Sequence, residues 1–324
     1  MFDIVGVIAL LALAALAMWL TRRSWRARNR IVKWVGVVPS GLFALIFSLA
    51  ICLALVGFYK INFPPSRPPV TELKVASTPD QIARGARFGL LCAGCHSPNG
   101  KPPLVGVNFF EGGGPPFGTL YAANLTPAGE IRDWSDAEII RAVREGIHKN
   151  GHALIVMPSH VFRNLSDSDA QAIVAYLRSQ PAGGSRTPPT KLNVLAALLL
   201  GIGIAPTSAQ PPVTQPVIAP AEGTSAAYGK YLVSILVCTE CHGEKLAGVK
   251  RFGPGPPMGP NLTMIVPGWT EAGFIQTLRT GVDPNNYKLK EGMPWKPISA
   301  FATEADLKAM YAYLHSLTPI QCPK

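Results

Sequence analysis

The residues of this chain best suited to chemistry lie in two copies of the pentapeptide Cys-x-x-Cys-His. Their cysteines and histidines are Cys92, Cys95, His96, Cys238, Cys241 and His242. In this motif the two thiols add to the vinyl groups of haem, and the adjacent histidine can turn its imidazole towards the iron. The sequence therefore predicts two covalently bound haem c groups, with the two motif histidines as iron ligands.

A redox dithiol and half of a zinc site are the alternatives for such a motif. A thioredoxin-like dithiol follows a strand within a βαβ unit, and the sequence shows no such pattern. A zinc site needs a second pair of Cys or His residues nearby, and neither motif has one. Haem attachment is the interpretation that accounts for both copies.

Two long apolar runs, residues 4–20 and about 41–59, precede the motifs, and each is near the length that crosses a bilayer. The loop between them contains six basic residues and no acid, which predicts a cytoplasmic location by the positive-inside rule. We therefore expect a retained two-helix anchor in a bacterial inner membrane, in contact with lipid, with the haem motifs on the periplasmic face. A cleavable signal peptide is the alternative for the first run, although no basic region precedes it.

The net charge of +11 does not indicate a nucleic-acid partner. Six of the basic residues belong to the loop between the apolar runs, and from Lys60 onward the chain has 24 basic and 18 acidic residues. Two haems would add four propionates to that part. The exported region is therefore nearly balanced in charge and has no basic face for nucleic acid.

The two halves share more than the haem motifs, which indicates that one domain is present twice. The paired features are Gly-Pro-Pro at 114–116 and 255–257, Asn-Leu-Thr at 124–126 and 261–263, Trp134 and Trp269, Arg144 and Arg279, Met157 and Met293, and Ala-Tyr-Leu at 175–177 and 312–314. Capping chemistry predicts where the helices of each half begin and end. The predicted starts are Ser135, Ser166, Thr270 and Thr303, and the predicted stops are Gly146 and Gly281.

The predicted organisation has four parts. They are a two-helix anchor with a basic loop (1–60), a first haem domain (61–190), an apolar and Pro-rich segment (191–225) and a second haem domain (226–324). Within the third part, residues 192–205 are apolar but too few to span a bilayer. A single crossing would also move the second haem motif to the cytoplasm. We expect this segment to pack against a haem domain, to lie in the membrane interface or to dock on a partner subunit.

Met157 and Met293 are predicted to be the sixth ligands of the two irons. Each lies between two helices, after the motif histidine and before a proline. Core packing is the alternative for both, and the duplicated position argues against it. Weaker ligand candidates are Met258, Met264 and Met310, and, for a bis-histidine site in the first half alone, His148, His152 and His160. Irons with both axial positions filled favour electron transfer over catalysis.

The repeated tryptophans and arginines are predicted to contact haem propionates, with helix packing and solvation as the alternative. These residues are Trp134, Arg144, Trp269 and Arg279. No role is assigned to Cys52, which lies in the second apolar run, or to Cys322 near the C-terminus.

The run of residues 114–126, the helix start at 134–138 and Met157-Pro158 resemble the cytochrome c subunits of periplasmic alcohol, gluconate and related membrane-bound dehydrogenases. The similarity covers about residues 80–320. It implies an all-α fold of two class I cytochrome c domains following the transmembrane hairpin. By matching motifs it also implies His/Met ligation by His96, Met157, His242 and Met293. Members of that family typically carry three haem motifs and a cleaved signal, whereas this chain has two motifs and a double anchor.

The resemblance also implies a function. We expect a membrane-bound dihaem cytochrome c, not itself an enzyme, that relays single electrons on the periplasmic face. Its expected partners are a dehydrogenase or quinol-oxidising complex and a terminal acceptor, with a soluble electron carrier as a further candidate. One alternative is a fixed cytochrome subunit of a terminal oxidase or of a complex III-like assembly. The other is a haem enzyme such as a dihaem peroxidase or thiosulfate dehydrogenase, which would need an open iron.

Overall fold

A computed structural model of the protein describes residues 4–65, 68–70, 72–111, 117–249, 259–290 and 292–321. The helices are α1 (Ile4–Trp25), α2 (Arg30–Asn62), α3 (Pro79–His96), α4 (Asp136–Glu145), α5 (Ser159–Phe162), α6 (Asp167–Ser179), α7 (Val194–Gly201), α8 (Ala226–Ile235), α9 (Cys238–His242), α10 (Leu262–Ile265), α11 (Glu271–Thr280), α12 (Trp295–Phe301) and α13 (Glu304–His315). The strands, of two residues each, are β1 (Val107–Asn108), β2 (Gly118–Thr119), β3 (Tyr121–Ala122) and β4 (Lys191–Leu192). Antiparallel pairs form between β1 and β3 and between β2 and β4. The predicted all-α class is confirmed.

The first two helices form an apolar hairpin at the N-terminal end of the described chain. Their mean hydropathy is 2.0 and 2.6, and both are long and apolar enough to cross a membrane. The Thr21 hydroxyl donates a 2.9 Å hydrogen bond to the Ser40 hydroxyl, which joins the two helices near their basic connection. Most side chains of both helices are exposed within the protein. Lipid is the environment in which such surfaces are stable.

The helix boundaries follow the predicted capping chemistry. Ser135 accepts a hydrogen bond from the backbone of Glu138, whose side chain accepts one in return from Ser135, so the capping box at the start of α4 is confirmed. Gly146 ends α4 in the left-handed conformation, with φ 65°, where glycine costs least. Thr270 caps α11 and Gly281 ends it in the same way, with φ 74°. The caps predicted at residues 166 and 303 are present as well.

A glycine allows the principal helix crossing of each half. A Cβ on Gly85 of α3 would lie 1.9 Å from the carbonyl oxygen of Ala172 on α6. In the second half, a Cβ on Gly229 of α8 would lie 1.8 Å from the carbonyl oxygen of Ala309 on α13. Because only hydrogen fits at either point, both crossings depend on glycine. The sequence repeat is therefore also a repeat of helix packing.

The two halves share one continuous apolar core. Phe88 of α3 and Phe301 of α12 meet edge to face, with ring centroids 5.0 Å apart. Arg87 of α3 donates to the Phe301 carbonyl and pairs with Asp306 at the start of α13. The haem motif of the first half thus lies on a helix that packs against the second half.

The apolar segment between the two halves packs on the apolar hairpin formed by α1 and α2. The contact between α7 and α2 is as close as the main chain permits. A Cβ on Gly57 would lie 2.0 Å from the Ala197 carbonyl oxygen, and one on Gly201 would lie 2.0 Å from the Leu53 carbonyl oxygen. The second anchor helix is thus a packing partner of this segment that the sequence did not predict.

Both ends of this segment are attached to the first haem domain. Before α7, β4 pairs with β2. After α7, the Ser208 amide donates to the Leu154 carbonyl at 2.8 Å. The next residue back, Ala153, donates to the Ile61 carbonyl at the end of α2, also at 2.8 Å. Backbone hydrogen bonds thus join the hairpin, the α7 segment and the first haem domain.

Candidate haem sites

The two motif histidines occupy equivalent positions with equivalent hydrogen bonds. His96 is the last residue of α3, and its Nδ1 lies 2.8 Å from the Ala123 carbonyl oxygen. His242 is the last residue of α9, and its Nδ1 lies 2.8 Å from the Pro260 carbonyl oxygen. A carbonyl can only accept, so Nδ1 carries the proton in both rings and the Nε2 lone pair remains for a metal. This is the tautomer that an axial haem ligand needs.

The repeated Asn-Leu-Thr segments hold those carbonyls in place. Asn124 is buried; its amide donates to the carbonyls of Gly183 and Ser185, and its Oδ1 accepts from the Thr126 backbone. In the second half the Asn261 amide donates to the Ile320 carbonyl, and its Oδ1 accepts from the Thr263 backbone. Each asparagine immediately follows the residue that accepts from the histidine. The repeated Asn-Leu-Thr therefore positions the carbonyl that accepts a hydrogen bond from each histidine. Sequence reasoning did not identify this role.

Burial favours the uncharged forms of the motif thiols and imidazoles. Burial raises the pKa of the Cys92 and Cys238 thiols to about 12 and also raises that of Cys95. All described cysteines are free, and Cys322 lies outside the described residues. Burial lowers the pKa of His96 and His242, while their carbonyl partners act in the opposite direction. Both rings therefore favour the neutral form, which binding of a metal would need, and the motif cysteines form no disulfide among the described residues.

The donor set fits haem better than a zinc site or a redox dithiol. Within the described ranges, no three or more His, Cys, Asp or Glu side chains come together as a metal-ion site. The first motif ends a long helix, α3, and does not follow a strand of a βαβ unit. The surroundings of both motifs are thus unlike those of zinc sites or thioredoxin-like dithiols.

Met157 and Met293 lie in matching turns. The following residues, Pro158 and Pro294, have φ −79° with ψ 52° and 49° respectively. In both turns the methionine carbonyl accepts a hydrogen bond of 2.8 Å from the amide two residues later, as α5 or α12 begins. The equivalence of the two positions supports a common role. Ligation of iron by their sulfur atoms stays a prediction.

The histidines considered as alternative ligands have other contacts. The His148 Nδ1 lies 2.8 Å from the Asn150 Oδ1, and its ring meets Trp134 edge to face at 4.6 Å. His152 is exposed. The His160 Nε2 lies 2.5 Å from Glu240 of the second haem motif. The methionine alternatives differ: Met264 is half exposed, Met310 is buried in the core, and Met258 lies outside the described residues.

The repeated arginines and tryptophans differ in what remains free for a propionate. Arg144 donates to Asp167 and to the Leu165 carbonyl, and Arg279 donates to the carbonyls of Ser299 and Ala302. These contacts fasten the segment after each methionine to the preceding helix and use the terminal guanidinium nitrogens, while the buried Arg144 Nε has no partner among the described residues. By contrast, among described residues the indole N–H of Trp134 and Trp269 has no hydrogen-bond partner. The tryptophans fit the predicted propionate contact better than the arginines do.

A buried carboxylate beside the first site was not identified from the sequence. The Glu130 Oε1 accepts from the backbone and the hydroxyl of Thr187, at 2.7 and 2.5 Å. Its Oε2 is buried and has no partner in the part of the chain that the structure describes. The Glu130 charge acts against the effect of burial on the pKa of His96. This carboxylate is therefore close enough to influence charge at the proximal side of the site.

The second half has no acid at the corresponding position. The Trp134 amide donates to the Ile131 carbonyl, and the Trp269 amide donates to the Val266 carbonyl. Counting back one residue from each acceptor aligns Glu130 with Ile265. The two sites are therefore alike in their ligands but differ in this neighbouring charge.

Comparison with known proteins agrees with this geometry. The model of the cytochrome c family matches residues 82–181 and 226–318, together more than half of the chain. The chain therefore belongs to the cytochrome c family, whose domains bind haem covalently and transfer electrons.

Two curated relatives show which kind of cytochrome c this chain resembles. Over 280 residues the chain is 32% identical to one of the subunits of nicotinate dehydrogenase from Pseudomonas putida, covering 77% of this chain and 22% of that protein. Over 165 residues it is 33% identical to the gluconate 2-dehydrogenase cytochrome c subunit of Pantoea cypripedii, covering 47% of this chain and 35% of that protein. The chain thus spans well under half the length of either relative. The resemblance to dehydrogenase cytochrome subunits that the motifs predicted is confirmed.

Proposed function

We propose that this chain is a membrane-bound dihaem cytochrome c that relays single electrons on the periplasmic face of a bacterial inner membrane. Haem bound at each motif supplies an iron that alternates between two oxidation states by one electron. Cys92 and Cys95 would hold one haem by thioether bonds, and Cys238 and Cys241 would hold the other.

The observation that carries the proposal is the pair of histidine hydrogen bonds. The carbonyls of Ala123 and Pro260 fix the ring orientation of His96 and His242 at the same distance, 2.8 Å, in both halves. A hydrogen bond to the far nitrogen of a ligating imidazole sets its tautomer and strengthens its basicity. Because both copies preserve this arrangement, we infer two working sites and not one site with a vestigial copy.

Met157 and Met293 complete the proposed sites as sixth ligands. A thioether ligand raises the reduction potential of haem. If these methionines bound the irons opposite His96 and His242, oxygen and peroxide would find no open coordination position. The arrangement thus supports electron relay rather than a haem enzyme.

Contacts between the two sites support electron exchange within the chain. The helix α5, which begins immediately after Met157-Pro158, contacts the second haem motif through His160 and Glu240. Asn164, two residues after α5, donates to the Ser234 carbonyl of α8 at 3.4 Å. If Met157 binds the first iron, that side of the first site would face the haem motif of the second.

The partners are inferred from the relatives. Both are named as subunits of dehydrogenases, so we propose that a dehydrogenase supplies the electrons and that a quinone, a terminal oxidase or a soluble carrier accepts them. The α1–α2 hairpin would hold the chain at the inner membrane, with its basic loop in the cytoplasm. A fixed place in a larger complex agrees with the backbone hydrogen bonds between the hairpin and the first domain.

Haem counting and carbon monoxide binding test the proposal. We expect two haems per polypeptide by intact-mass analysis, and one after Cys92→Ala and Cys95→Ala are combined. The matched variant, with Cys238→Ala and Cys241→Ala, should retain the other haem. Carbon monoxide should leave the spectrum of the reduced protein unchanged. A single haem in the parent chain would exclude the dihaem assignment, and a strong carbon monoxide spectrum would favour catalysis.

A further inference from the structure

The segment formed by α7 and the three residues after it (194–204) has an unusual environment for a connection between two domains. It is almost entirely apolar, and eight helical residues span only about 12 Å. That length cannot cross the hydrocarbon core of a bilayer, which is about 30 Å thick. The segment nevertheless packs on α2, the longest membrane-type helix of the chain.

The position of the contact along α2 gives the depth of the segment. Gly201, the last residue of α7, packs at Leu53, nine residues before the end of α2. At 1.5 Å per residue, this point is roughly 13 Å along the helix from its outer end. At the other end of α7, Val194 packs against Gly6 in the first turns of α1. The segment is therefore level with the outer parts of both long helices.

Backbone amides and carbonyls at both ends of α7 have hydrogen-bond partners within the protein, as they would need in the absence of water. Asn193 caps the first turn by accepting from the amides of Leu195 and Ala196. At the other end, amides of the following turn bond to the carbonyls of residues 198, 199 and 200. The Lys60 ammonium donates to the carbonyls of Leu200 and Gly201, at 3.0 and 3.1 Å. The last carbonyls of a helix have no partner within the helix, so these bonds reduce the number of main-chain groups that would need water.

The side chains of the segment that do not pack on α2 are large, apolar and exposed. They are Leu195, Ile202 and Ile204, the last being 71% exposed. In water these side chains would have no apolar surface to pack against. They continue the exposed apolar surface of α2, on which residues such as Leu45 are equally uncovered.

We propose that residues 194–204 enter the outer leaflet of the bilayer and leave on the same side, with Leu195, Ile202 and Ile204 in contact with lipid acyl chains. This proposal rests on the proposed anchoring by α1 and α2. Because both ends of the segment are attached to the first haem domain, that domain would be held against the membrane surface at two points. The second haem motif then stays on the same side as the first.

Cysteine accessibility tests the proposal in the full-length holoprotein reconstituted in phospholipid vesicles. The background carries Cys52→Ala and Cys322→Ser, which leaves only the haem-bound cysteines. Ile204→Cys is the test variant. Ile218→Cys is the matched control, because Ile218 is 85% exposed in the same interdomain connection but lies beyond the α7 segment. Leu45→Cys reports on the hairpin itself. A hydrophilic maleimide is the probe, with labelling in denaturant as the reference for each variant.

We expect labelling at residue 204 to be at least tenfold slower than at residue 218 and as slow as at residue 45. Protection cannot come from the chain itself, since Ile204 is mostly exposed in the protein. Fast labelling at 204 with protection at 45 would overturn the α7 proposal and leave the hairpin anchor intact. Fast labelling at 45 would instead remove the anchor and, with it, the basis of this inference.

Discussion

The hydroxyl of Tyr231, on α8 of the second haem domain, donates a hydrogen bond of 2.5 Å to Asp169 on α6 of the first. The reverse contact joins Arg87 on α3 of the first domain to Asp306 on α13 of the second. Gly85 and Gly229 are equivalent at the helix crossings, so Arg87 and Tyr231 are equivalent as well, and so are the two aspartates. The same type of contact therefore occurs twice between the domains, and each domain supplies the donor in one copy and the aspartate in the other. Its two copies differ in the donor, which is a guanidinium in one and a phenol in the other.

Replacing Tyr231 should destabilise the interface between the two domains. In Tyr231→Phe the buried Asp169 loses a donor, and the Ser166 amide loses its acceptor, the Tyr231 hydroxyl. Asp169 keeps its ion pair with Arg84, but the buried Ser166 amide is left unpaired, which costs about 1–3 kcal/mol. We expect a lower midpoint of thermal unfolding, measured by circular dichroism on the holoprotein in detergent. Tyr287→Phe, at an exposed tyrosine of the second domain, should leave the midpoint unchanged. Equal midpoints for both variants would show that the interface contact is not stabilising.

Gly229→Ala should damage the second haem domain specifically. The added methyl group would overlap the Ala309 carbonyl, so α8 and α13 would have to separate. Overpacking of this kind typically costs about 1–3 kcal/mol. We expect a lower yield of haem at the second motif, measured by mass spectrometry of peptides that contain each motif. Gly268→Ala is the control, because a Cβ there has no atom within 4 Å. Normal haem content in Gly229→Ala would contradict the assigned role of this crossing.

The methionine assignments predict that each methionine substitution shifts the potential of a different haem. Met157→His should lower the midpoint potential of one haem only, because imidazole replaces a ligand that raises the potential. Met293→His should do the same to the other haem. Axial ligands set haem potentials over a range of about 0.8 V, so the change should be resolved by spectroelectrochemical titration. Met264→His, at a half-exposed methionine without a repeated counterpart, serves as the control. A potential that does not move in Met157→His would remove that residue from the ligand set.

Glu130 should make the first haem harder to reduce. A buried negative charge near the proximal histidine stabilises the oxidised, more positive iron. Glu130→Gln keeps the acceptor for Thr187 and removes the charge, so the potential of the haem bound by His96 should rise. A rise of about tenfold in the one-electron equilibrium would be ~59 mV.

Two further variants test whether the change in potential comes from the charge at the position of Glu130. Asp133→Asn removes an exposed acid from the same turn and should have little effect, since solvent screens its charge. Ile265→Glu places an acid at the equivalent position of the second domain and should lower the potential of the haem bound by His242. If Glu130→Gln and Asp133→Asn behave alike, burial of the Glu130 carboxylate has no special electrostatic effect.

Much of the helical framework could be predicted from local sequence chemistry. Ser135, Thr270, Gly146 and Gly281 act within a few residues of chain, because a cap bonds to amides of its own helix and a stop depends on its own φ. The duplicated motifs also located both histidines. These features need no knowledge of distant contacts.

The contacts that orient the sites were harder to foresee. The acceptors for His96 and His242 are main-chain carbonyls, and a carbonyl at position 123 or 260 has no sequence signal of its own. The repeated Asn-Leu-Thr was visible, but its role depends on a loop that returns to the haem motif. The packing of α7 on α2 likewise depends on Gly57 and Gly201, which are more than a hundred residues apart. For Arg144 and Arg279, repetition alone could not distinguish a propionate contact from the main-chain contacts that the structure shows.

The hydrogen bond from the Ala153 amide to the Ile61 carbonyl has a consequence for how partners reach the haems. A cytochrome on a flexible tether can swing between donor and acceptor, but this bond and the strand pairing beside α7 leave the first domain no such freedom. With the hairpin in the membrane as proposed, the turn containing Met157 would keep a constant height and orientation above the lipid. Electron donors and acceptors would then have to come to this protein, either by diffusing along the membrane or by assembling around it.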